Sequence, residues 1–104
     1  MSRFEVVWTL PALEELDLIH QYYSLKSEIS ADTIIENIID RAGQLQAFPL
    51  SGQEEEILKR IKKGHRYIVE GNYKIIYRIS GSIVYVTDVF DARQNPKKIV
   101  GENK

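Results

Sequence analysis

Three apolar, strand-length stretches follow one another in the last third of the chain, and apolar residues recur at helical spacing over two stretches in the first half. The strand-like stretches are His65-Arg66-Tyr67-Ile68-Val69-Glu70, Tyr73-Lys74-Ile75-Ile76-Tyr77-Arg78-Ile79 and Ile83-Val84-Tyr85-Val86-Thr87-Asp88-Val89-Phe90. All three are rich in the β-branched and aromatic side chains that suit a pleated surface. Gly71-Asn72 and Gly81-Ser82 separate them. Each is a two-residue connection with Gly at the first central position, as a type II′ turn requires, so an antiparallel three-stranded meander is expected with its register set by the turns. On the middle strand Tyr73, Ile75, Tyr77 and Ile79 share one face and Lys74, Ile76 and Arg78 the other.

Upstream, Phe4–Trp8 reads as a short strand buried on both faces. Thr9 can cap a helix that has Pro11 in its first turn and runs to about Ser24, with Ala12, Leu16, Ile19 and Tyr23 on its inner stripe, flanked by Leu13 and Tyr22. After a turn over Lys26–Ile29, Ser30 is the expected N-cap of a second helix through Ile34, Ile35, Ile38, Ile39, Ala42, Leu45 and Phe48, which Pro49 ends. The short connection makes an antiparallel helical hairpin, and its apolar side needs the sheet to cover it. The expected class is therefore α+β: an N-terminal strand and a helical hairpin packed on a small antiparallel sheet. Residues 49–64 are polar, with Ile57, Leu58 and Ile61 as anchors for a helical turn or loop.

With 104 residues, 43% of them hydrophobic, the chain is long enough for one core, so residues 1–104 are expected to form one domain with a tail from about residue 97 that frays. The absence of cysteine excludes a disulfide framework and a cysteine-based zinc site. No cofactor and no metal ligand set is expected. The N-terminus enters a strand without a signal-peptide pattern, and no window approaches a membrane span, so a cytoplasmic protein with no membrane contact is expected.

The net charge of −1 conceals a division: residues 1–52 sum to −5, Glu54-Glu55-Glu56 to −3 and residues 57–104 to +7. A basic half on a near-neutral protein suits a localised anionic partner, although a solvated lysine face is the plainer explanation. If the apolar face of the meander meets the helices, Lys74 and Arg78 project from an open face, with Arg66 and Arg93 able to join them in a cationic platform for a phosphate backbone or an acidic protein. Ion pairing of Lys74 and Arg78 with Glu70 or Asp88 is the structural alternative. His65 can carry a proton near neutral pH, but a solvated edge residue is its plainer role; His20 on the first helix is plainer still.

The order of these elements, with Ala12-Leu13-Glu14-Glu15-Leu16-Asp17, Ile19-x-x-Tyr22-Tyr23, Phe48-Pro49-x-x-Gly52, Tyr73-Lys74-Ile75-Ile76-Tyr77-Arg78 and Val89-x-Asp91-x-Arg93-Gln94-Asn95-Pro96, resembles the RelE/ParE superfamily. These are toxins of bacterial type II toxin–antitoxin modules, also described as plasmid stabilisation proteins. The resemblance implies growth inhibition, a cognate antitoxin that folds over the hairpin and sheet, and a toxin–antitoxin hetero-oligomer. It leaves two targets. RelE-like members cleave messenger RNA on the ribosome, which requires cations and an acid–base pair. Lys74 and Arg93 match cationic positions of those nucleases, but no Tyr, His or Cys follows Tyr85, which leaves Asp91 near the C-terminus and His65 or Tyr67 as substitutes. ParE-like members poison DNA gyrase by binding. The gap at the C-terminus favours a ParE-like, non-catalytic toxin that binds its target through Arg66, Lys74, Arg78 and Arg93. The alternatives are a ribosome-dependent endoribonuclease that uses His65, Tyr67, Arg66, Lys74, Arg78 and Arg93, and an inactive relic that still binds antitoxin.

Overall fold

In the computed structural model, which describes residues 3–99, strand β1 (Glu5–Trp8) leads through Thr9 into helix α1 (Leu10–Ser24), and helix α2 (Glu28–Gly43) returns antiparallel to it. A two-residue strand β2 (Gln53–Glu54) and a 3-10 helix (Glu56–Ile61) follow, then the meander β3 (Arg66–Glu70), β4 (Tyr73–Ser80) and β5 (Ile83–Asp91). The strands form one five-stranded sheet in the order β1-β5-β4-β3-β2. The expected α+β arrangement is the one that forms. Its sheet is mixed, because β1 lies parallel to β5 at the edge while every other pairing is antiparallel. An edge strand is covered from one side only, so Val6, Val7 and Trp8 are half-buried rather than enclosed on both faces.

Local chemistry accounts for the ends of the elements. Thr9 is extended, its hydroxyl accepts the Ala12 amide at 3.4 Å and donates to the Val86 carbonyl at 2.9 Å, so one side chain caps α1 and pins it to β5. The second helix starts earlier than expected. Its cap is Ser27, whose hydroxyl accepts the Ser30 amide at 3.3 Å, which puts Glu28 in the first turn where a negative charge suits the helix dipole. Ser30 is inside the helix. The helix also ends earlier, at Gly43; a 3-10 turn over Gln44–Gln46 follows, and Phe48 is exposed instead of joining the inner stripe. Gly71 and Gly81 take φ of 59° and 60° and are each followed by a residue of ordinary φ, as the expected turns require.

The two helices lie on the face of β4 that carries Tyr73, Ile75, Tyr77 and Ile79, and Leu16, Ile38, Leu45, Ile75, Val84 and Val86 fill the layer between. The register of β4 against β5 shifts between Ile76 and Tyr77, which leaves Thr87 as an extra residue and lets both Val86 and Val89 reach this layer. The opposite face is not open. Ile76 and Phe90 are buried there beneath Leu58 and Ile99, with Ile61 and Tyr67 at the margin. The segment Gln53–Ile61 thus acts as a strap across the sheet. Of the tail expected to fray, Pro96–Lys98 forms a 3-10 turn and Ile99 is fully buried; residues 100–104 lie outside the described residues.

Tyr77 closes the far end of the helical layer. Its buried hydroxyl donates to the Pro49 carbonyl at 2.7 Å and accepts the Gly52 amide at 3.0 Å, which fixes the chain where it leaves the helices for the strap. A Cβ on Gly52 would lie 2.5 Å from that hydroxyl and 2.7 Å from the Tyr67 carbonyl. Tyr77→Phe, which strands two buried backbone groups, is expected to lower stability by about 1–3 kcal/mol in urea unfolding. Gly52→Ala should lose about 1–3 kcal/mol by overpacking, and the double variant should lose less than the sum because both changes act on one contact.

Candidate functional site

Strand pairing sorts the sequence-predicted residues by face. Tyr67 lies opposite Ile76, so His65, Tyr67, Lys74, Ile76 and Arg78 share the face under the strap. Arg66 pairs with Tyr77 and projects into the helical side, where its guanidinium donates to the Gly52 carbonyl at 2.8 Å. The expected platform of four cations therefore does not assemble. Arg66 is on the wrong face because alternation along β3 is set by its register with β4, which a strand-by-strand reading does not supply.

Arg93 is also elsewhere. It sits past β5 on the helical side, where its guanidinium donates to both carboxylate oxygens of Asp91, at 3.0 and 2.8 Å, and its backbone N–H adds a third bond at 2.9 Å. These bonds hold the Asp91 carboxyl below the usual carboxylate range and keep Arg93 protonated. A carboxylate so held is a poor proton donor near neutral pH, which weighs against Asp91 as a substitute general acid.

On the strap face, Lys74 and Arg78 are occupied differently. The Lys74 ammonium lies 3.1 Å from the Glu55 carboxylate and 4.2 Å from the centroid of the Tyr67 ring. Its partner is thus a strap residue and not Glu70 or Asp88. Glu55 is 4% exposed, drawn under cover by the burial of Leu58 three residues on. The Arg78 guanidinium stacks 4.7 Å over the ring of Tyr85, its direct neighbour on β5. The Tyr67 hydroxyl donates to the Gln53 side chain at 3.0 Å. In the sequence Glu55 is one of three consecutive glutamates; only tertiary burial distinguishes it from Glu54 and Glu56.

His65 is not the solvated edge residue its sequence context suggests. It is 4% exposed, its Nδ1 has no hydrogen-bond partner, and it lines a hollow of about 330 Å³ with Glu54, Glu55, Lys59 and Lys62. Burial pushes its pKa down, and the Arg78 and Lys63 charges add to the effect against a smaller opposing pull from Glu55. Burial and the neighbouring positive charges thus favour the neutral imidazole.

A second hollow, of about 400 Å³, lies between α1 and the end of β5. Leu18, Ile19 and Tyr22 form one wall, Tyr73 and Val89 the floor, and Glu15, Asp91 and Arg93 a charged rim. Leu18, Tyr22 and Leu25 follow one another at helical spacing along α1, and all three are exposed. A soluble helix seldom presents such a stripe without a partner. The sequence signal was present in Leu18 and Leu25, which fall off the inner stripe.

Two stability measurements test this geometry. Lys74→Met, which leaves the Glu55 carboxylate buried without its cation, is expected to cost about 2–3 kcal/mol, and adding Glu55→Gln should recover most of it. Because the pKa of His65 is lower in the folded state than in the unfolded chain, protonation favours unfolding. Its contribution is intact above about pH 6.5 and is lost as the pH falls through that value toward the folded pKa. Between pH 7.5 and 5, the wild type should lose more stability than His65→Gln, measured by urea midpoints.

Comparison with known proteins adds three findings. The family model described as the ParE toxin of the type II toxin–antitoxin system, parDE, matches residues 6–96. No curated protein matches the chain. Among solved structures, a chain of the "Chromosomal ParDE TA system from P. aeruginosa" superposes with a TM-score of 0.72 at 19% identity, covering 85% of this chain and 95% of that one.

Proposed function

The chain belongs to the ParE toxin family of type II toxin–antitoxin systems, and from that premise we propose that it arrests growth by binding DNA gyrase rather than by cutting RNA, and that an antitoxin neutralises it in the cytoplasm. The observation that carries the choice of binding over catalysis is that the four cations do not converge, only Lys74 and Arg78 sharing a face. Arg66 serves the helical side, Arg93 is held by Asp91, and Lys74 is neutralised by a buried glutamate. Cleavage through a phosphorane requires cations converging on one phosphate with a proton donor at hand. Binding a protein target requires only a surface of fixed shape and charge.

The hollow beside α1 suits the antitoxin. An amphipathic segment could cover Leu18, Tyr22 and Leu25 with its apolar side while its polar groups meet the Glu15, Asp91 and Arg93 rim. Such a segment would be ordered by the contact, and the charged rim would set its register.

A second reading, the ribosome-dependent nuclease, draws on His65, Tyr67, Lys74 and Arg78 lying on one face. It needs the strap to move so that His65 reaches a ribose hydroxyl.

Induction of the chain without its antitoxin separates the readings. Gyrase poisoning is expected to produce filaments with a DNA-damage response while translation continues, and the purified chain should inhibit supercoiling. Immediate loss of protein synthesis with cleaved ribosome-bound messenger RNA would overturn the gyrase reading, and growth without arrest would make the chain a relic. Leu18→Glu with Tyr22→Glu should leave growth arrest intact and abolish rescue by the co-expressed antitoxin.

A further inference from the structure

The turn end of the helical hairpin gathers three potential metal ligands that no part of the toxin reading uses. His20, near the end of α1, places Nε2 at 2.8 Å from Oδ1 of Asp32 on α2. Glu28 begins α2 one turn before Asp32, so its carboxylate lies on the same face of that helix. The imidazole nitrogen and one oxygen from each carboxylate all lie within 4.8 Å of one another, and among the described residues this is the one such set. A tetrahedral zinc ion with bonds of about 2.0–2.2 Å holds its ligands about 3.3 Å apart, so modest side-chain rotation closes the three around a single ion.

The electrostatics favour a cation. Two carboxylates face one imidazole, and Glu28 has no ion-pair or hydrogen-bond partner among the described residues. Lys26, in the intervening turn, directs its ammonium over the Tyr22 ring at 5.6 Å. The last turn of α1 carries no basic side chain to offset the negative end of the helix dipole.

We propose that His20, Glu28 and Asp32 bind a divalent transition metal of the zinc class, with water completing the shell, and that the ion ties α1 to α2. An imidazole selects such metals over magnesium and calcium, which take oxygen ligands. Binding uses the neutral imidazole and therefore weakens in acid. His20 and Tyr22 are two residues apart, about 200° around the helix, so the metal lies on the flank away from the hollow beside α1 and leaves that surface free. His20 gave no metal signal in the sequence because its partners are a turn and a helix away.

The test is calorimetric titration of the untagged full-length chain with zinc chloride at pH 7.5, beside magnesium chloride and beside a zinc titration at pH 5.5. Expected are one saturable zinc site, no magnesium heat, and at least tenfold weaker zinc binding at the lower pH. His20→Ala and Glu28→Gln should each weaken zinc binding tenfold or more and abolish the rise in melting temperature that zinc gives the wild type. Glu28→Gln removes no existing contact, so loss of zinc binding in that variant cannot be assigned to misfolding. Absence of saturable binding, equal binding of magnesium, or wild-type zinc affinity in both variants would overturn the proposal.

Discussion

Everything in this small protein depends on burying strand β4 from both sides. Ile75 and Ile76 are adjacent, point to opposite faces and are both fully buried, so two covering layers are needed. The helical hairpin and the 3-10 turn after it supply one, with Ile38 and Leu45 in the cluster that holds Ile75 and Tyr77. The strap supplies the other, where Leu58 and Ile99 close over Ile76 and Phe90. Fully burying a single isoleucine is worth about 2–3 kcal/mol, so leaving either face bare would consume a large share of the stability of a domain this size.

The second layer has an electrostatic consequence. Seating Leu58 draws Glu55 out of water, and a buried carboxylate must find a cation. Lys74 is the cation on that face, and the Tyr67 ring beneath it adds a second favourable contact. What alternation along β4 presents as a free basic group is therefore committed to holding the strap. His65 is enclosed by the same closure, and burial next to positive charge favours its neutral form. A surface that could have gathered cations for phosphate chemistry is spent on a clasp.

The two faces also differ in what they leave exposed. On the strap side the apolar groups are covered by the chain itself. On the outer flank of α1, Leu18, Tyr22 and Leu25 are exposed beside a hollow with a charged rim. Family membership supplies the kind of partner to expect there, a toxin–antitoxin pair.

Local sequence determined the elements, the two glycine turns, the capping of α1 by Thr9 and the sorting of Lys74 and Arg78 away from the helices, because each depends on residues within a few positions of one another. It also carried the family resemblance. Tertiary structure decided the rest: β1 pairing parallel at the edge, Ser27 capping α2 in place of Ser30, Arg66 on the helical side, and the bulge at Thr87. The partners of the cations belong to the same group, since Glu55 meets Lys74 across 19 positions and His20 meets Asp32 across 12. Propensity and periodicity act over one turn or one strand, whereas register, burial and charge pairing are set by which distant segments must cover the same apolar surface.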